Sequence, residues 1–250
     1  MKTSTKLLII FLACIPASLW AYNSLLRKQL DSRNIVLELR PDPDQQYNEE
    51  QLPPFKYLVV NGSLTFNDGK SPDINWLPKV GLGNSGQKNA TNNVSILKQY
   101  ANIVKHHIAH DTLYLSFNNS VKYDAGEYGF YQPDIVKINV TDLQEVNSSF
   151  TRLSINTGIV PALLFKVVVA NKSNLVMNGL IADKLDLTVK DSSEADLNGN
   201  IINNLYYAIP GNGKLTMDIY TAKHFYPGKI DSLAWMEIKG KGLEMQRYLK

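Results

Sequence analysis

The sequence predicts an all-β fold: a parallel β-solenoid, β-helix-like, with rungs of about 20 residues behind an N-terminal membrane anchor. Three observations predict it. First, SNLVMNGLIADKLDLTVKDS at 173–192 is followed by SEADLNGNIINNLYYAIPGN at 193–212, so Met177-Asn178-Gly179 returns as Leu197-Asn198-Gly199. Second, apolar and polar residues alternate within each row, as in Lys184-Leu185-Asp186-Leu187-Thr188-Val189-Lys190, which turns one side of a strand inward. Third, beyond the N-terminal segment no stretch carries a convincing helical period.

The chain has 250 residues, enough for one sizeable domain or two small ones, and 44% hydrophobic against 20% charged residues is the balance of a folded chain. A net charge of +3, evenly spread, argues against a nucleic-acid partner. Cys14 is the single cysteine, so the chain has no internal disulfide and no thiolate metal cluster.

Lys2 and Lys6 precede LLIIFLACIPASLWAYNSLL at 7–26, and Arg27 and Lys28 follow it. A membrane-spanning helix needs about 20 mainly apolar residues, and Trp20 and Tyr22 suit an interface. Residues 1–26 are therefore expected to be a signal-anchor or signal peptide: an uncleaved anchor, a peptide cleaved after Ala21, or a lipoprotein signal with Cys14 as the lipidated residue. Each reading places the rest of the chain outside the cytoplasm, and the expected localisation is exported and anchored in the cell envelope. Residues 27–54 include RPDPDQQYNEEQLPP, which buries little apolar surface and is kept extended by proline: a polar stalk, with a short strand at 35–39 as an option.

The solenoid domain is expected over 55–250. FKYLVVNGSLTF at 55–66 reads as a hairpin about Asn61-Gly62. Residues 67–93, rich in Gly, Asn, Asp, Ser and Pro, read as a long loop. VSILKQYANIVKHHIA at 94–109 fits one helix or two strands, and TLYLSF (112–117) and DIVKINV (134–140) read as strands.

Rows of twenty then align five inward columns: Leu175, Ala195 and Leu215; Met177, Leu197 and Met217; Phe165, Leu185 and Leu205; Val167, Leu187 and Tyr207; Val169, Val189 and Ile209. Gly179 and Gly199 mark a corner, where glycine takes a positive φ without steric cost. Asn178, Asn198 and Asp218 share the preceding column, where side chains can bond along the stack. WMEIKG at 235–240 reads as a last rung displaced by one residue.

The strands DTLYLSF and DIVKINV, followed by 20-residue rungs with glycine corners, resemble the auto-transporter adhesin head family, the GIN domain, over roughly 55–240. The family's Gly-Ser-Gly turns have GNG at 211–213 as their nearest match here, while KDSSE stands where another is expected. The resemblance implies an exported envelope β-solenoid that acts in adhesion or surface binding, and it implies no catalytic residues.

Four stretches carry candidate chemistry. GLGNSG, Gly81 to Gly86, satisfies G-x-G-x-x-G, but Pro78 disturbs a preceding strand and QKNATNN is no helix, so a glycine loop is expected instead of a dinucleotide site. KHHIAHD offers His106, His107, His110 and Asp111; a helix would put His106 and His110 on one face as zinc ligands, but no H-E-x-x-H or cysteine accompanies them, and a solvated edge is expected. Asp183, Asp186, Asp191, Glu194 and Asp196 beside Lys184 and Lys190 are the candidates for a lyase-like acidic face, and solvated outward positions account for them as well. KYDAGEYGFYQPD concentrates Tyr123, Tyr128, Phe130 and Tyr131, with Asp124 and Glu127, and is the preferred ligand-binding site, since aromatic faces stack on sugar rings.

The functional expectation is a non-enzymatic cell-envelope or surface protein for binding, adhesion or scaffolding. Its alternatives are a polysaccharide lyase-like enzyme on a β-helix and a membrane-anchored sensor subunit. Its partners are the membrane, through residues 7–26, and a glycan or another envelope protein. No cofactor, metal or catalytic residue is expected.

Overall fold

The computed structural model describes residues 15, 18, 20, 22–24, 47–63, 77–83, 91–117, 134–156 and 164–240. Its chain divides into two units, Met1–Gln45 and Gln46–Lys250. In the first, Ile15, Ser18, Trp20 and 22–24 are helical, and the Ser18 hydroxyl donates to the Ile15 carbonyl at 2.8 Å. Among the described residues no helix is long and apolar enough to cross a membrane; most of the expected anchor, Cys14 included, lies outside them.

The second unit is all-β. Its strands in chain order begin with β1 (Tyr47–Gln51), β2 (Tyr57–Asn61), β3 (Lys79–Gly83), β4 (Asn93–Leu97), β5 (Val104–Ala109) and β6 (Thr112–Phe117). Next come β7 (Val136–Asn139), β8 (Glu145–Ser149), β9 (Arg152–Asn156), β10 (Phe165–Ala170), β11 (Asn174–Asn178) and β12 (Ile181–Val189). The last are β13 (Glu194–Asn198), β14 (Ile201–Ile209), β15 (Lys214–Asp218), β16 (Ala222–Ile230) and β17 (Trp235–Lys239). They form two mixed sheets, ordered β1-β4-β7-β3-β9-β11-β13-β15-β17 and β16-β14-β12-β10-β8-β2-β6-β5.

From β8 onward the chain alternates between the sheets, and every neighbour pair in this part is parallel. Leu175 lies opposite Ala195 and Ala195 opposite Leu215; Met177, Leu197 and Met217 follow suit. Phe165, Leu185 and Leu205 are in register, as are Val167, Leu187 and Tyr207. All are buried, and each fully buried aliphatic side chain contributes roughly 1.5–3 kcal/mol by leaving water. The alternation fixes which face turns inward, and the 20-residue spacing fixes which side chains meet.

Two kinds of corner close each turn of the chain. Gly179 (φ 71°) and Gly199 (φ 65°) lead from the first sheet into the second. The return runs through left-handed pairs, Asn171-Lys172 and Asp191-Ser192, with φ between 55° and 61°. KDSSE thus makes, with ordinary side chains, a bend for which glycine was expected. The final rung is offset by 21 residues, Lys214 opposing Trp235, and the extra residue is absorbed by a bulge in β16, where Tyr207 faces Pro227 but Ile209 faces Ile230.

The N-terminal half departs from the expected order. β2 lies between β6 and β8, parallel to both, so Asn61-Gly62 opens no hairpin: both edges of β2 are taken by distant strands. A Cβ on Gly62 would stand 2.2 Å from the Phe150 carbonyl oxygen, so glycine is needed here for close approach. The expected loop 67–93 contains β3, which pairs with β7 and β9. Residues 94–109 take the two-strand alternative, joined by a 3-10 turn at Lys98–Tyr100. The polar stretch before residue 54 supplies β1, antiparallel to β4. β4 on β7 and β5 on β6 are also antiparallel, so near this end β4 and β5 run against the rest of the stack.

Candidate functional site

The outward positions of the second sheet carry its chemistry. Tyr57 of β2, Glu145 of β8, Lys166 of β10, Asp186 of β12, Tyr206 of β14 and Tyr226 of β16 stand in one continuous column across six strands. Five follow from period-2 alternation: their chain neighbours Leu58, Val146, Val167, Leu187 and Tyr207 are buried, so the column residue faces solvent, while Tyr226 joins the column by its pairing with Tyr206. Tyr57, Tyr206 and Tyr226 are 38%, 38% and 43% exposed. The Tyr206 and Tyr226 rings stack at 4.6 Å and 13°. Lys166 Nζ meets Glu145 Oε1 at 3.2 Å. Beside the column, Asn204 Nδ2 donates to the Asp183 carbonyl at 3.3 Å and Asn203 Nδ2 to Asp183 Oδ1 at 3.0 Å. At the other end of the same sheet, His107 stacks on the exposed Tyr114 at 5.0 Å.

Neighbouring strands are about 4.8 Å apart, so Tyr57 and Tyr206 are separated by about 19 Å along the stack. The arrangement is aromatic at its ends and charged and hydrogen-bonding between them. It can hold an extended polar polymer by ring contact and hydroxyl hydrogen bonds. It assembles no nucleophile with a base.

The residues singled out from sequence are distributed as follows. Tyr123, Tyr128, Phe130 and Tyr131 lie outside the described residues, as do Asp124 and Glu127. Asp134, which closes that stretch, is described and firmly held. Its backbone carbonyl accepts from the Tyr47 hydroxyl at 2.6 Å, and its carboxylate lies 3.5 Å from Lys79 Nζ. Burial, then the Asp134 charge, raises the Tyr47 hydroxyl pKa above its usual 10.0. Gly81 leaves room for this carboxylate, since a Cβ there would fall 2.4 Å from Asp134 Oδ2. Gly81 and Gly83 therefore sit in strand β3, where a glycine loop was expected, and Gly86 lies outside the described residues.

His106 and His107 are strand residues of β5, which removes the helical zinc geometry. His106 Nε2 lies 3.2 Å from Glu50 Oε2, linking the outermost strands of the two sheets at one end. His110 (φ 49°) and Asp111 (φ 58°) form the left-handed two-residue turn of the β5–β6 hairpin. Among the described residues, no group of three or more His, Cys, Asp or Glu side chains is placed to hold a metal ion. The acidic candidates are divided: Asp183 and Asp186 are on β12 in the second sheet, Glu194 and Asp196 on β13 in the first, and Asp191 at the corner between them. Lys184 is exposed on β12, and Lys190 Nζ lies 3.9 Å from Asp191.

At the glycine corners, Asn178 opposes Asn198. Asn198 Nδ2 donates to Asp196 of its own strand, and Asp218 Oδ1 accepts from the Tyr220 N–H at 2.9 Å. Side-chain bonds from rung to rung run through neighbouring positions. The Leu180 N–H donates to Asn200 Oδ1 at 2.9 Å, and Asn200 Nδ2 reaches the Met177 carbonyl at 2.8 Å. The Ser173 N–H donates to Ser193 Oγ at 3.1 Å. These groups are buried and would be costly unpaired.

Rows of twenty aligned on their apolar interior leave the outward tyrosines unmarked. Their signal was present: Asp186, Tyr206 and Tyr226 fall in one column of the same repeat.

No family model matches the chain, and no curated protein is similar to it. Solved structures similar to it include a "putative lipid binding protein" from Parabacteroides distasonis ATCC 8503, with 13% identity and a TM-score of 0.39, covering 78% of this chain and 94% of that one. A "putative adhesin" from Bacteroides fragilis NCTC 9343 has 10% identity and a TM-score of 0.37, covering 77% and 96%. Another, from Parabacteroides merdae ATCC 43184, has 15% identity and a TM-score of 0.31, covering 78% and 95%. Likenesses this distant assign no ligand.

Proposed function

We propose that this chain is a non-enzymatic, exported envelope protein whose β-solenoid binds a polysaccharide across the outer face of its second sheet. The observation that carries the reading is the outward column of Tyr57, Glu145, Lys166, Asp186, Tyr206 and Tyr226, aromatic at both ends and polar between. The period of the strands gives such a face a regular spacing along which a chain of sugar rings can lie. The N-terminal segment 7–26 serves as the membrane attachment in this reading, with residues up to about 46 as the tether. The aromatic set Tyr123, Tyr128, Phe130 and Tyr131 is a second contact for the same class of ligand. Division of the acids between two sheets and a corner favours binding over lyase chemistry, which needs a base and carboxylates converging on one sugar.

The test is affinity electrophoresis against soluble neutral and uronate-containing polysaccharides. Tyr206→Ala/Tyr226→Ala is expected to weaken retardation at least tenfold while the thermal unfolding midpoint moves little. Retardation equal to that of the parent chain would overturn the site. Release of unsaturated uronate, seen as rising ultraviolet absorbance, would overturn the non-enzymatic reading.

A further inference from the structure

The two ends of the strand stack are finished differently. At one end β1, YNEEQ, presents Glu49 and Glu50, and β5 presents Lys105, His106 and His107. At the other, β16 carries Lys223, Lys229, Pro227 and the bulge, all devices that discourage another strand from pairing. β17, WMEIK, has neither proline nor bulge, and Trp235 is 64% and Met236 38% exposed. Among the described residues no strand pairs with its outer edge.

We propose that this edge pairs antiparallel with β17 of a second copy, giving a two-fold dimer. Hydrogen-bonding directions limit the registers, and charges choose between those centred on Ile238 and on Glu237. The Trp235 N–H donates to the Gly213 carbonyl at 2.9 Å and the Lys239 carbonyl accepts from the Ile219 N–H at 2.8 Å, so both residues face β15. Met236 and Ile238, alternate in the strand, present their N–H and C=O to the free edge. Antiparallel pairs that exchange two hydrogen bonds must therefore involve these two residues. Centred on Ile238, the pairing sets Glu237 against Lys239 of the other copy, twice, at the closely spaced non-hydrogen-bonded positions. Shifted so that Glu237 is central, it opposes the two Glu237 carboxylates. The strand is self-complementary in the first register alone of these two, as a two-fold interface requires. Met236 and Ile238 continue the buried Leu215 and Met217 columns, so the same contact covers the outer side of the last core layer.

Head-to-tail stacking is the competing arrangement. It is heterologous, so it would grow into a ring or a filament instead of closing as a two-fold dimer.

The experiment uses the full chain in a non-ionic detergent, by sedimentation equilibrium corrected for bound detergent. A protein mass twice 28.1 kDa is expected. Glu237→Lys and Lys239→Glu should each raise the dimer dissociation constant at least tenfold, and the two together should restore it, with unchanged circular dichroism. The Met236 and Ile238 amides should lose protection from deuterium exchange on dilution. Single reversals that leave the dimer intact, a double exchange that stays monomeric, or mass that grows without limit would overturn the proposal. So would a monomer that dimerises only when residues 241–250 are removed, or edge protection independent of concentration, either of which makes the chain's own C-terminal segment the occupant.

Discussion

Gly62 is the residue at which local and tertiary demands diverge most plainly. Asn61-Gly62 has the composition of a hairpin turn, yet the glycine is there because the Phe150 carbonyl, Pro78 and Thr151 close on it, with 2.2 Å, 2.6 Å and 2.6 Å left to a Cβ. Backbone cannot yield as a side-chain tip can, so Gly62→Ala is expected to cost about 3 kcal/mol in urea unfolding. Asp231 acts by charge. Its Oδ2 accepts from the Gly211 N–H at 2.7 Å and its Oδ1 meets Lys229 Nζ at 3.2 Å. The backbone hydrogen bond first, then Lys229, holds its pKa below the usual carboxylate value of 3.8. A carboxylate whose pKa is depressed on folding stabilises the fold above its unfolded pKa and loses that contribution as pH falls through the folded one. Stability is therefore expected to drop on acidification from about pH 5 downward, and Asp231→Asn should flatten part of that decline. An acid limb identical in variant and parent would remove Asp231 from the account.

Among the elements, β13 shows how a short strand gains stability from its neighbours. Its five residues bury only Ala195 and Leu197, and each lies between equivalents on β11 and β15. Leu197 is fully buried, so Leu197→Ala leaves a void between Met177 and Met217 and should cost about 2–4 kcal/mol, measurable as a lower denaturation midpoint. The corner preceding β13 is the left-handed Asp191-Ser192, and Ser192 has its N–H bound by Asn212 Oδ1 at 2.8 Å. Hydrogen bonding across rungs holds a bend that glycine would have made without strain. β16 shows the opposite adjustment, taking up one extra residue by bulging so that β17 keeps its pairing with β15.

For the whole molecule, the repeat in residues 165–218 determined by itself the inward columns, their 20-residue register and the glycine corners, because alternation and spacing are properties of neighbouring residues. The displacement of the last rung at 235–239 was equally plain, since it is a one-residue change in the same count. The outward tyrosines were legible in that count too, but only as a column; that they form a continuous face with Glu145 and Lys166 depended on pairing with β8 and β10. What tertiary structure alone decided was partner choice where no repeat exists. β2 and β3 enter the stack between strands that follow them only after long excursions, and β4 and β5 run against the other strands near one end. A short apolar alternation states that a strand has an inner face; it does not state which distant backbone will meet its two edges. That choice is made by the shared core, where Leu58 of β2 and Val80 of β3 find cover only between those partners.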